Sequence, residues 1–312
     1  MTALRSISTN TVQQPLYVPL PQLEPRVQHR QKTIASSVVC QGIGVHSGAP
    51  VTLTLRPAEA GSGITFIRTD LGGIEIKATW QTVVDTRRCT TIGNGKGVTV
   101  STIEHLMAAL AASGIDNIRV EIDGPELPIL DGSAQPFVTL IEEAGVESMR
   151  APRRVIRVLK TVTVEEGDRK ASLSPSSTYE IEVDFDFGGR NNLPAQHLSF
   201  RPLEQDFAED ISAARTFGLL EDAEKIWAMG LAKGASLNNT LVFDGAKVIN
   251  EDGMRFEDEC VRHKALDAFG DLHLAGGLIL GKFHGVRTGH GLHHKLLLAL
   301  FADPKAWIVE AR

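Results

Sequence analysis

His263, Asp267 and Asp271 stand four residues apart, so on a helix they fall along one stripe, and the first two could chelate a single metal ion. A neutral imidazole nitrogen and a carboxylate oxygen are ordinary zinc donors, and this spacing lets both reach one ion without bending the backbone. A solvated helix face with a plain His–Asp contact has the same pattern. Glu104-His105 is the second notable pair, set at the mouth of a helix that otherwise reads apolar, with Leu106, Met107 and Leu110 after it. His105 could be a third ligand. Glu104, pointing about 100° away on the helix, could then be a general base rather than a ligand. An acidic residue favoured by the helix dipole beside a satisfied histidine accounts for the pair as well. Two histidines and one aspartate with an open fourth position would make a catalytic rather than a structural zinc site.

Near the C-terminus, Arg287-Thr-Gly-His290-Gly-Leu-His-His294 supplies three more histidines in a glycine-flexed turn, one of which could donate a proton. His293 and His294 are expected on the surface. Thr216, in Arg215-Thr-Phe217 ahead of a glycine, could donate a hydrogen bond to a developing oxyanion. A serine hydrolase finds no support, because GxSxG is absent. Cys89 reads as a buried small hydrophobe rather than a nucleophile.

These residues need elements to hold them. Alternating segments Val51–Leu55, Gly63–Ile67 and Ile74–Ala78 read as strands, Ser101–Ser113 as a helix with Ser/Thr caps ahead and Gly114 behind, and Ile118–Ile122 as strand again. Phe137–Ala144 reads as a second helix. After Ala151-Pro-Arg-Arg154 the grammar repeats, with strands at Val155–Val164, Ala171–Leu173 and Tyr179–Phe187 and a helix over Asp258–Leu274. The expectation is an α+β chain in two domains, each a sheet packed against helices. Residues 1–30 carry four prolines and no sustained period and read as a mobile extension; 31–150 form domain I, 151–154 a linker, 155–302 domain II and 303–312 a C-terminal tail. Within domain II, residues 218–248 are looser and read as an insertion, with a short helix around Trp227, Met229, Leu231 and Ala232 and a strand at Thr240–Phe243.

The 312 residues suffice for two cores. A net charge of −6 argues against nucleic acid as partner, while leaving room for a small phosphorylated ligand. Three cysteines, none closely paired, fit a reducing compartment and support neither disulfides nor a Cys-built zinc site. No apolar run is long enough for a signal peptide or a membrane span, so a cytoplasmic protein without stable membrane insertion is expected, acting as a monomer.

Several motifs in order resemble one family, the UDP-3-O-acyl-N-acetylglucosamine deacetylases, zinc amidases of lipid A biosynthesis in Gram-negative bacteria. They are Gly42-Ile-Gly-Val-His-Ser-Gly48, Thr102-Ile-Glu-His-Leu-Met-Ala-Ala-Leu110, Glu126-Leu-Pro-Ile-Leu-Asp-Gly-Ser-Ala134, Ala214-Arg-Thr-Phe-Gly218, Val261-Arg-His-Lys-Ala-Leu-Asp-Ala-Phe-Gly-Asp271 and Gly289-His290. The resemblance implies one catalytic Zn2+ on His105, His263 and Asp267, with Glu104 as general base, His290 as cationic acid or oxyanion partner oriented by Asp271, and Thr216 at the oxyanion. It places His46, Lys264, Phe217, Asp184, Phe185 and Arg287 around the nucleotide sugar. It implies two domains of similar topology, each a sheet-and-helix sandwich with a small insert, and an acyl-chain passage in the insert over residues 218–248. The implied substrate is acylated UDP-N-acetylglucosamine, which loses acetate by hydrolysis. Rival readings are a deacetylase of another sugar nucleotide and a sensor that binds without turnover; the intact set of Glu104, His290 and the three ligands speaks against the sensor.

Overall fold

The computed structural model describes residues 29–190 and 193–311; the expected extension through residue 28 lies outside them. The fold is α+β, with five sheets and six α-helices among the described residues. The first large sheet runs in the order Val38–Ile43, Pro50–Pro57, Ile118–Ile122, Ile64–Arg68, Ile74–Lys77. Val51, Leu53 and Leu55 point into the core while Thr52 and Thr54 between them are less buried, the period of two that one-sided burial demands. All neighbours are antiparallel except Ile64–Arg68 beside Ile118–Ile122. A parallel pair needs a crossover, and this one contains α1 (Glu104–Ser113); α2 (Gln135–Ala144) follows the pair.

The second large sheet has seven strands and is organised on Leu278–Val286, which pairs in parallel with Arg154–Val158 and with Tyr179–Phe185 and antiparallel with Arg169–Ser174. Between Tyr179–Phe185 and Leu278–Val286 lie the short helices α3 (Phe207–Asp210) and α4 (Ala223–Ala228), then α5 (Glu259–His273). After the sheet's long strand comes α6 (His290–Ala302). In each half a small three-stranded sheet precedes the crossover helix: Val83–Asp85, Thr91–Gly93 and Thr99–Val100 before α1, and Phe217–Leu219, Leu241–Asp244 and Lys247–Val248 before α5.

The crossover helices meet backbone to backbone. A Cβ on Gly270 of α5 would lie 2.0 Å from the carbonyl oxygen of Glu104 in α1, so only glycine allows this approach. That contact explains why one buried apolar cluster runs from Ile34 to Ala306 through both large sheets, where two separate cores were expected, with a small satellite of Leu219, Leu241, Phe243 and Cys260 beside it.

Other expectations shift in detail. α1 starts at Glu104, not Ser101: Ser101 is bridged to Glu126, Thr102 has φ 58°, and Ile103 caps the helix without a side-chain hydrogen bond. A β-branched residue in the left-handed region cannot lead a helix. The strand read as Val155–Val164 divides into Arg154–Val158 and Val162–Glu166, because Leu159 N–H turns to donate to the Ala306 carbonyl. Within the segment set aside as a tail, Trp307–Ala311 is a strand antiparallel to Arg154–Val158. The short helix at 223–228 ends before Leu231 and Ala232. All three cysteines are free. No described helix is long and apolar enough to cross a membrane.

Candidate metal centre and catalytic cavity

The N-terminal end of α1 and one face of α5 converge on a cavity of about 290 Å3. His263 and Asp267 lie one turn apart on α5, and His105 faces them from α1. Asp267 Oδ1 is 3.4 Å from His263 Nε2 and 3.8 Å from His105 Nε2, the two rings meet edge to face at 5.0 Å, and all three residues are buried. Tetrahedral bonds of about 2.0–2.1 Å to zinc would set donor atoms roughly 3.3–3.4 Å apart, so the set fits such an ion with small adjustment of His105.

Protonation suits it too. Burial and the neighbouring His263 push the His105 imidazole down to about 3, and burial lowers His263 despite the Asp267 charge, so both rings are neutral with lone pairs free. His263 Nδ1 donates to the Ala214 carbonyl at 3.0 Å, which fixes the tautomer that leaves Nε2 as acceptor. Burial alone would raise Asp267, but His263 and Lys264 hold its carboxyl well below the usual range. Lys264 Nζ donates to Asp267 Oδ2 at 2.8 Å and stands 5.3 Å from the Phe217 ring.

Beside these donors sits an acid–base pair. Glu104, 3% exposed, accepts from Thr90 N–H at 3.1 Å; burial pushes it up to about 8, with His290 opposing and the Asp271 and Asp267 charges adding to the rise. His290 opens α6 and donates through Nδ1 to Asp271 Oδ2 at 2.8 Å, while its Nε2 stands 3.7 Å from Glu104 Oε1. Burial works against its charge, yet Asp271 and Glu104 raise it to about 10. His290 is therefore an imidazolium at neutral pH. Asp271 lies behind it, held well below the ordinary carboxyl range, against burial, by His290 and His293.

Of the other expected residues, His46, Thr216, Phe217 and Lys264 line the cavity. Thr216 is fixed from both sides, its N–H donating to Gly132 and its carbonyl accepting from Leu241 N–H, both at 2.8 Å. His46 N–H donates to Glu126 at 2.8 Å, and its buried Nδ1 has no partner among the described residues. Asp184 and Phe185 part company, since neighbours on a strand face opposite ways. Phe185 packs on Phe217 at 5.3 Å, whereas Asp184 accepts from His197 at 2.8 Å and from His284 at 2.7 Å, away from the cavity lining. Arg287 is also outside the lining, paired with Asp186 and Asp168.

Three residues escaped the reading of the sequence. Thr90 bridges the halves, its N–H to Glu104 and its hydroxyl to Asp271 Oδ1 at 2.5 Å. Arg88 lines the cavity at φ 74° with no ion pair among the described residues, and with Thr102 and Ala232 it makes three of the five described left-handed non-glycine residues that border this site, where backbone strain tends to collect. The third, His293, is a correction: expected at the surface, it is fully buried, because α6 turns that face of its Leu stripe into the core. Polar contacts made across the fold leave no periodic signal, so none of the three was legible beforehand.

The family model described as UDP-3-O-acyl N-acetylglycosamine deacetylase matches residues 31–302. The chain is 49% identical over 286 residues to the UDP-3-O-acyl-N-acetylglucosamine deacetylase of Myxococcus xanthus, covering 91% of this chain and 90% of that protein. Proteins of the same description from Vibrio parahaemolyticus and Phenylobacterium zucineum are each 46% identical, over 89% of this chain and 92% and 96% of theirs.

Proposed function

Because the chain belongs to the UDP-3-O-acyl-N-acetylglucosamine deacetylase family, and is thus an amide hydrolase of lipid A biosynthesis, we propose that it works through one zinc ion held by His105, His263 and Asp267. The observation that carries this is the buried set of two neutral imidazoles and one ionised carboxylate directly beside Glu104 and His290. When bound, zinc supplies Lewis acidity toward the acetamide carbonyl.

The chain's own groups do the rest. Glu104, in the ionised form that burial opposes and the neighbouring His290 charge favours, takes a proton from the attacking water as the new carbon–oxygen bond forms. Thr216 Oγ1 and the His290 imidazolium face the oxygen that becomes negative. As the carbon–nitrogen bond breaks, Glu104 passes the proton taken from the water to the amine nitrogen, which regenerates its carboxylate and leaves the free amine and acetic acid, which ionises to acetate. Asp271 keeps His290 charged and oriented throughout. His46, Lys264 and Phe217 hold the nucleotide sugar, with Phe185 behind Phe217; Asp184 and Arg287, read as further contacts to it, lie outside the lining, joined by a hydrogen bond of 2.9 Å from Arg287 N–H to the Asp184 carbonyl.

The acyl chain leaves along the insert over residues 218–248. Supporting this, Ile226 and Ala232 line the cavity while Leu220, Trp227, Met229 and Leu237 stay exposed nearby in sequence, more apolar surface than a polar connection needs. The chain is read as two domains of similar topology meeting at α1 and α5, each with its three-stranded sheet as insert. It is read as a monomer acting in the cytoplasm, a compartment that its three free thiols suit.

The test is metal content with acetate release. Chelation should abolish turnover and zinc restore it, and His105→Ala, His263→Ala and Asp267→Ala should each lose the ion. Full metal content and turnover in all three variants would overturn the ligand assignment.

A further inference from the structure

We infer that His293 is a positioning residue for the deacetylation, acting through Asp271 on His290 without touching substrate. The inference rests on the reading of His290 as the imidazolium that faces the developing oxyanion. α6 turns Leu292, His293, Leu296, Leu297 and Leu300 into the core, so leucine is the ordinary occupant of such a position. A polar ring there costs free energy unless a bond compensates. His293 makes one, from Nδ1 to Asp271 Oδ2 at 2.7 Å, and its buried Nε2 has no partner among the described residues, beside the Phe283 ring, 5.6 Å from the imidazole.

The pattern fixes the tautomer. An ionised carboxylate accepts only, so Nδ1 carries the proton; a second proton on Nε2 would be an orphaned buried donor, worse than a lone pair left unsatisfied. His293 is thus a neutral, immobile donor. With it Asp271 accepts three hydrogen bonds, from Thr90 on Oδ1 and from His290 and His293 on Oδ2. Thr90 comes from the first half, and the two histidines from successive positions three apart on α6. Three donors from two directions leave the carboxylate plane no freedom to turn. The ring it holds, His290, therefore presents Nε2 to the cavity in one orientation, whereas His293 lies outside the cavity lining.

The experiment compares His293→Leu, which keeps the bulk and removes the donor, with His293→Asn, whose amide can donate from nearly the same place. The Leu variant should lose about tenfold or more in kcat with KM unchanged and thermal midpoint at or above native, because an unsatisfied polar atom has left an apolar stripe. The Asn variant should recover kcat to within about threefold of native. Native kcat in the Leu variant, or equal losses in Leu and Asn, would overturn the inference. Should the Leu variant fail to fold, nitrogen-15 spectra of histidine-labelled native protein decide: Nδ1–H with bare Nε2 at His293 supports it, and the opposite tautomer refutes it. His290→Ala tests the underlying reading separately, since unchanged kcat there removes His290 whatever His293 does.

Discussion

Gly270→Ala should damage catalysis from a position that touches no substrate. The added methyl would lie 2.0 Å from the Glu104 carbonyl oxygen, 2.9 Å from its carbonyl carbon and 3.0 Å from Ala108 N, all backbone atoms that no rotamer can move aside. Restoring an ordinary 3.4 Å contact from 2.0 Å requires α1 and α5 to separate by about 1.4 Å at this point. Glu104 and His105 travel with α1, His263 and Asp267 with α5, so the shift widens the His105–Asp267 separation beyond its present 3.8 Å. Overpacking costs about 1–3 kcal/mol, and the better helix propensity of alanine returns up to about 1 kcal/mol. Stability should fall modestly, by roughly 1–2 kcal/mol. Activity should fall further, since a misplacement of about 1 Å costs on the order of a hundredfold. Acetate release, metal content and thermal midpoint are measured together, with Gly124→Ala as control because its methyl would meet nothing nearer than Val51 Cγ2, at 3.4 Å. Native kcat/KM and full metal content in Gly270→Ala would refute the argument that this contact sets the ligand geometry.

Glu259→Ala should destabilise by about 3–5 kcal/mol, measured by urea unfolding, because it strands the buried Arg215 guanidinium that Glu259 now accepts from at 2.8 Å; a loss under about 1 kcal/mol would mean that exposed Asp252 suffices as partner. His273, lowered to about 4 by burial and by Arg153 despite a bond to the Ile115 backbone, is neutral when folded, so its contribution is complete above its unfolded value near 6.5 and is lost as pH falls from there toward 4. The window of about 2.5 pH units corresponds to roughly 3 kcal/mol, and His273→Gln should flatten the acid limb of stability against pH; an unchanged limb would show that other groups produce it. Substrate without its acyl chain should react at least a hundredfold less efficiently in kcat/KM, since ten buried methylenes at about 0.8 kcal/mol each, halved for ordering the chain, give about 4 kcal/mol. Equal efficiency with and without the chain would remove the passage from the insert.

Local rules carried the elements and much of the chemistry in this chain. The four-residue spacing of His263, Asp267 and Asp271 needs only a helix to align them, and the sequence around them specifies one, which α5 confirms almost to the residue. The alternation at Val51–Leu55 and the glycine stop after Ser113 work in the same way, through side-chain period and backbone freedom within a few residues. What stayed illegible depended on residues distant in sequence. Ser101 and Thr102 have the composition of a helix cap, yet the bridge to Glu126 and the hydroxyl bond to its carboxylate draw them into extended and left-handed backbone. His293 has the composition of a surface residue, and only Asp271, twenty-two positions earlier, makes its burial tolerable. That His105 comes within reach of Asp267 at all depends on the absent side chain of Gly270, because the distance between two helices is set by the atoms that collide between them, and no periodicity along either helix records that.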